Sequence, residues 1–240
     1  MNTETKGLIS DQIESGYLHT LTIEVTEQCN FKCGHCLRGP ADKSVFNVNT
    51  LHTILTNTPE LENIGSIVFT GGEPLLHPEV IDEVLTMLWR FKVDVGSFYI
   101  ATNGSAFNKE SLRVLGRLYE FCQDNEISAV EISNSKWHQE ERKRLGLFSR
   151  VPSCFEDMYD YFQEDMEYVM ENYYPCLQEI NFCADGRQYK NMVQEGRYTG
   201  PGKKVNQDME NLVYINSRNK VVINACDLSF DSQKQIALAI

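Results

Sequence analysis

LTIEVTEQCNFKCGHC, residues 21–36, is a strand that runs straight into a cluster of thiols. LTIEVT alternates apolar with polar residues and is rich in β-branched side chains, the pattern of a short strand. Cys29, Cys33 and Cys36 then follow within eight residues, so they sit on the loop that leaves the strand's C-terminal end. A closed structural zinc site takes four ligands, and this loop supplies three thiols. Two readings stay open on spacing alone. In one, His35 or one of Cys122, Cys154, Cys176, Cys183 and Cys226 completes a zinc site. In the other, three soft thiolates hold a cubane iron-sulfur cluster whose fourth iron is left open for a substrate or cofactor.

Outward from this stretch the same punctuation recurs. Val48, Leu51, Ile54 and Leu55 predict a helix over 48–57, and SIVFT (66–70) reads as a buried strand ending on Gly71-Gly72-Glu73-Pro74. From His77 to Phe91, the spacing of Val80, Ile81, Val84, Leu85, Leu88 and Phe91 predicts an amphipathic helix, with Pro78 placed in its first turn. VGSFYIAT (95–102) is the next strand and closes on Asn103-Gly104; Leu112, Leu115 and Leu118 mark the helix after it. SAVEIS (128–133) is a fourth strand. Phe155, Met158, Tyr159, Phe162, Met166, Val169 and Tyr173 form a helical stripe over 154–174, and LQEINFC (177–183) a fifth strand. LVYIN (212–216) and KVVINAC (220–226) flank Ser217-Arg218-Asn219, either as a hairpin or as a strand preceded by a turn.

Strands alternating with helices in this way imply βαβ units, a parallel sheet and right-handed crossovers. About six units are too few to close an eightfold barrel, which leaves an incomplete barrel or an open sheet. In both, reactive loops lie beyond the strand C-termini, where Cys29, Gly71, Asn103, Ser133 and Ala184 all fall.

The chain has 240 residues, 42% of them apolar, with no linker-like stretch, as for one domain of barrel or doubly wound size. No apolar run reaches membrane-spanning length, and MNTETKGLISDQIESG lacks the core of a secretory signal, so a soluble, cytoplasmic protein with no membrane partner is expected. Twenty-two Lys and Arg against 34 Asp and Glu give a charge of -12, which repels phosphate backbones and argues against nucleic acid as a partner. Its eight cysteines are expected as thiols in a reducing compartment.

Alone, Gly71-Gly72-Glu73-Pro74 reads as an ordinary strand-to-helix turn, or as glycines that admit a ligand close to backbone carbonyls able to accept from an ammonium group. Combined, Cys-x3-Cys-x2-Cys after the first strand and Gly-Gly-Glu-Pro after the second resemble the radical S-adenosylmethionine (radical SAM) superfamily, over roughly residues 20–230. The resemblance implies an α/β fold, a partial (β/α)6 TIM-type barrel with parallel strands over 21–240, after an N-terminal extension, 1–20. It implies that Cys29, Cys33 and Cys36 bind a [4Fe-4S] cluster and that Gly71, Gly72, Glu73 and Pro74 form the segment holding the amino group of S-adenosylmethionine. It places His35 against adenine, Asn103 and Ser133 at ribose or carboxylate, and Arg187 at the cofactor carboxylate. The implied chemistry is reductive cleavage to a 5'-deoxyadenosyl radical, with a one-electron reductant such as flavodoxin or ferredoxin as partner.

Trp137 and His138 follow the fourth strand and are candidates to face substrate, against the plainer reading of a partly buried aromatic beside a surface imidazole. The basic loop Thr199 to Lys204 reads first as a solvated turn. The C-terminal cysteines are scattered, so one cluster is expected, and a Gly-x-Ile-x-Gly motif near adenine in some relatives is absent. A peptide or protein side chain is the favoured substrate and a small molecule or nucleotide the alternative. A zinc-binding or non-catalytic S-adenosylmethionine-binding module stands apart from both.

Overall fold

The computed structural model describes residues 3–34, 36, 43–124, 128–133, 136–147, 212–223 and 236–237. The expected helix over 154–174 and strand over 177–183 lie outside them. A first helix, α1 (Thr3–Ser10), buries Ile9 and leads through Ser15 and Gly16, both at positive φ, into β1 (Tyr17–Thr26). β1 starts at Tyr17 rather than Leu21 and so takes in the last four residues of the segment set aside as an extension. Gly16 fixes that start: its carbonyl accepts from the amides of Glu62 and Asn63, which aligns β1 with β2 (Asn63–Gly71).

Over residues 17–144 the alternation expected from the sequence is present. α2 (Val48–Asn57) joins β1 to β2, and α3 (Pro78–Phe91), preceded by a 3-10 turn at Pro74–Leu76, joins β2 to β3 (Asp94–Thr102). α4 (Lys109–Phe121) joins β3 to β4 (Ala129–Ile132), and α5 (Lys136–Arg144) follows. Each boundary has a local cause. Asn47 caps α2 through its side chain, Pro78 sits in the first turn of α3, Lys92 ends α3 in the left-handed region, and Asn108 with Ser111 closes a reciprocal capping box on α4.

The described strands form one mostly parallel sheet in the order β4-β3-β2-β1-β5-β6-β7, with β5 (Leu212–Ile215) parallel to β1. β5 and β6 (Lys220–Ile223) are a hairpin, so of the two readings of 212–226 the hairpin is the one realised; β6 and the two-residue β7 (Ile236–Ala237) run antiparallel. Consecutive strands laid side by side by right-handed crossovers place α2, α3 and α4 on one side of the sheet. There Leu51, Ile54, Ile81, Val84, Leu85, Leu112 and Leu115 share a core with Ile23, Val25, Ile67, Phe69 and Ile100.

Register makes the opposite face polar. Thr20, Thr22 and Glu24 of β1 align with Ser66, Val68 and Thr70 of β2, with Ser97 and Tyr99 of β3 beyond, and with Leu212 and Tyr214 of β5 on the other side. Glu24 is fully buried there. Its carboxylate accepts from the Tyr214 hydroxyl at 2.8 Å, the Ser217 hydroxyl at 2.7 Å and the Ser217 amide at 3.2 Å, tying β1 to the hairpin turn. Glu24→Ala strands three buried donors, and at about 1–3 kcal/mol for each unsatisfied group a loss of about 3 kcal/mol or more is expected by urea denaturation. Among the described residues no helix is long and apolar enough to cross a membrane.

Candidate functional site

The ends of β1 and β2 are stitched together beyond the sheet. The Gly72 amide donates to the Thr26 carbonyl at 2.7 Å and the Glu73 amide to the Gln28 carbonyl at 2.9 Å. A Cβ on Gly71 would sit 2.3 Å from the Thr26 oxygen, and one on Gly72 would sit 2.3 Å from the Gln28 oxygen; Gly71 also has φ 145°, a conformation open to glycine. In the sequence these glycines read either as an ordinary turn or as room for a ligand. The backbone they admit here is that of the cysteine loop itself. That loop is anchored at its return as well, since Glu27 donates its amide to Ser44 at 3.1 Å and Phe46 donates to Val25 at 2.8 Å.

Between these anchors Cys29 and Cys36 are half-buried and Cys33 is buried, all as free thiols. A turn closes on the Cys33 carbonyl, which accepts from the Cys36 amide at 3.2 Å. The Cys29 sulfur accepts from the Phe31 amide at 3.4 Å and from the Asn103 side-chain amide at 3.7 Å. Burial, with smaller pushes from Glu73 and Cys36, raises the Cys29 thiol to about 11, against the pull of those two donors. A bound metal displaces that proton. Among the described residues no three His, Cys, Asp or Glu side chains converge on a single ion. A cube takes each thiolate at a separate iron and requires no such convergence. Three soft thiolates on one anchored loop, one already receiving N–H donors, fit an iron-sulfur cluster. Cys122 is also buried, at the end of α4 within the apolar core, and burial alone raises it to about 12.

Glu73 is fully buried beside this loop. One carboxylate oxygen accepts from the Thr102 hydroxyl at 2.7 Å and the Leu75 amide at 3.1 Å, and the other from the Asn103 amide at 2.6 Å. The carboxylate therefore braces the turn after β3. Burial pushes it up to about 7, although its three donors and the Arg142 charge pull the other way. An acid whose folded pKa lies above its unfolded value takes up protons on folding, so this group's contribution to stability falls as pH rises from about 4.5 to about 7 and is level above that. Glu73→Gln is expected to remove that slope, a few kcal/mol at about 1.4 kcal/mol per unit, when urea midpoints of both proteins are compared across the window.

α5 covers the loop from the far side. The Glu141 carboxylate accepts from the Lys32 amide at 2.7 Å and pairs with Arg144, while the buried His138 ring packs against Phe31 at 6.3 Å. Arg142, also buried, donates to the carbonyls of Asn103 at 2.9 Å and Ser133 at 2.7 Å, joining the mouths of β3 and β4. Desolvation lowers its pKa, opposed by the nearby Cys33 and Glu73.

Of the residues singled out in the sequence, the fold brings Cys29, Cys33, Cys36, Gly71, Gly72, Glu73, Pro74 and Asn103 to one end of the sheet, with Ser133 beside Thr102 through a 2.8 Å backbone bond. His35, Arg187 and the loop from Thr199 to Lys204 lie outside the described residues. His138 is buried against the cysteine loop, where a surface imidazole was the plainer expectation. Sequence reasoning missed Arg142, because HQEERKR reads as a solvated charged run. Residues four apart share a helix face, so Arg142 lies on the face that buries His138, a burial the sequence did not signal.

The family model described as the Radical SAM superfamily matches residues 23–149, just over half of the chain. The chain is 31% identical over 134 residues to the antilisterial bacteriocin subtilosin biosynthesis protein AlbA of Bacillus subtilis, covering 54% of this chain and 28% of that protein. It is 33% identical over 117 residues to human molybdenum cofactor biosynthesis protein 1, covering 47% and 17%, and 34% identical over 95 residues to the GTP 3',8-cyclase of Helicobacter pylori, covering 37% and 28%. It thus spans less than a third of the length of these curated relatives. Among solved structures, BtrN in complex with AdoMet and 2-DOIA matches with a TM-score of 0.48 at 17% identity, covering 85% of this chain and 72% of that one.

Proposed function

Because the chain belongs to the radical SAM superfamily, we propose that it uses a [4Fe-4S] cluster and S-adenosylmethionine to abstract a hydrogen atom from a peptide or protein side chain. The observation that carries this reading is the three-cysteine loop stitched through Thr26 and Gln28 to Gly72 and Glu73. Cys29, Cys33 and Cys36 would hold the cluster. The chemistry such a cluster would supply, once bound and given an electron by a donor such as flavodoxin or ferredoxin, is reductive cleavage of S-adenosylmethionine to a 5'-deoxyadenosyl radical. Gly71 to Glu73 would hold the cofactor's amino group through backbone carbonyls, since the Glu73 carboxylate already accepts from Thr102, Leu75 and Asn103. Ser133 would lie near the ribose or carboxylate, and His35 and Arg187 would serve adenine and carboxylate.

The polar sheet face supports a peptide over a nucleotide triphosphate. Across β1, β2, β3 and β5 this face carries Thr20, Thr22, Glu24, Ser66, Val68, Thr70, Ser97, Tyr99, Leu212 and Tyr214, with no Lys or Arg among these central positions to meet a polyphosphate; Lys220 lies further out, on β6. AlbA, with the longest alignment of the three relatives above, is named for bacteriocin biosynthesis. The chain's formal charge of -12 opposes anionic substrates further.

Anaerobic reconstitution is expected to give about four iron and four sulfide per chain, and dithionite with S-adenosylmethionine to release 5'-deoxyadenosine. One zinc without sulfide would overturn the cluster reading. Deuterium passing from a labelled candidate peptide into 5'-deoxyadenosine tests the substrate class, and transfer from a labelled nucleotide instead would reverse it.

A further inference from the structure

We infer that Asn103 raises the reduction potential of the cluster by donating its side-chain amide to the sulfur of Cys29; this rests on the cluster reading above. Asn103 Nδ2 lies 3.7 Å from Cys29 Sγ and 3.0 Å from Asn30 Oδ1. The orientation of the amide is set by its partners: Oδ1 accepts from the Ser105 amide at 2.8 Å, which leaves the NH2 group for the sulfur and the Asn30 oxygen. The residue as a whole is also pinned. Its backbone amide donates to Glu73 at 2.6 Å, its carbonyl accepts from Arg142 at 2.9 Å, and it is buried. The donor is therefore aimed before any ligand arrives.

A thiolate that ligates iron carries more negative charge in the reduced cluster than in the oxidised one. An N–H held at that sulfur stabilises the reduced form more, so the potential rises; hydrogen bonds to sulfur are among the levers that set such potentials. The Phe31 amide, at 3.4 Å, acts on the same atom, but it belongs to the loop backbone, where only proline would remove it and would reshape the loop as well. Asn103 comes from the end of β3, seventy-four positions away in sequence, and makes the potential depend on how the sheet and the loop are docked. It is a positioning residue for the cluster's electronic state, and this role is separate from any contact with S-adenosylmethionine.

The test is a redox titration of the reconstituted protein followed by electron paramagnetic resonance, wild type against Asn103→Asp. Aspartate keeps an oxygen for the Ser105 amide and the shape of the turn, and replaces the donor at sulfur by an acceptor. At a fixed ambient potential the ratio of reduced to oxidised cluster is expected to fall about tenfold, a midpoint lower by about 59 mV for one electron, with iron and sulfide content unchanged. An unchanged midpoint overturns the inference. Wild-type protein carrying 15N in its asparagine side chains gives a second measurement, independent of any variant's folding. Hyperfine coupling from a labelled amide to the reduced cluster is expected, and its absence overturns the inference. A wild-type chain that takes up no iron and sulfide overturns the cluster reading itself and this inference with it.

Discussion

Cys33→Ala is expected to take both cluster content and 5'-deoxyadenosine formation below detection. Cys33 is the buried member of the three thiols, and its carbonyl closes the turn to Cys36. Removing its sulfur leaves two thiolates for a cube that needs at least three corners held, and alanine offers no substitute ligand. Cys122→Ala is the matched control. That thiol is equally buried, but it ends α4 inside the apolar core, so its loss is expected to cost about 1 kcal/mol of stability and leave iron and sulfide intact. Iron and sulfide analysis, with chromatographic measurement of 5'-deoxyadenosine, reads both variants. Full product yield from Cys33→Ala would remove the assignment of the loop as the cluster's seat.

Gly72→Ala is expected to cost about 3 kcal/mol or more and to lower cluster occupancy at least tenfold. The added methyl would lie 2.3 Å from the Gln28 carbonyl oxygen and 2.6 Å from that of Glu27, distances that only a backbone shift can relieve. Overpacking of this kind commonly costs about 1–3 kcal/mol, and the displaced atoms here also accept the Glu73 amide at 2.9 Å. The strain falls on the residue just before Cys29. Melting temperature reports the first effect and iron content the second. Gly7→Ala, inside α1 where nothing lies within 4 Å of the new carbon, is expected to leave iron content unchanged and not to lower the melting temperature, since alanine is the better helix former. Wild-type occupancy in Gly72→Ala would mean that the two loops meet more loosely than the bonds from Gly72 and Glu73 imply.

These two residues mark how far the sequence could be read. The cysteines were legible because ligand spacing within one loop is local. The glycines were legible as glycines but not in their purpose: nothing in GGEP says that the close neighbour is the chain between Thr26 and Gln28. Helices α2, α3 and α4 and the strands around them announced themselves through periodicity, since each buries one stripe on a common core. The start of β1 at Tyr17 did not, because the exposed Tyr17 weakens the pattern before the register with Asn63 extends the strand.

Local pattern by itself determined the alternating α/β architecture, the thiol loop at a strand's end and the glycine-rich turn beside it. All three are written in spacings of a few residues. Only the tertiary structure decided that β1 lies inside the sheet with β5 at its flank, that Glu24 meets Tyr214 and Ser217, and that Asn103 and Arg142 close around the cysteines and Glu73. Those contacts join residues whose individual preferences say nothing about one another. Their free energy exists only once the sheet has brought distant donors and acceptors out of water together, where leaving any one of them unpaired is costly.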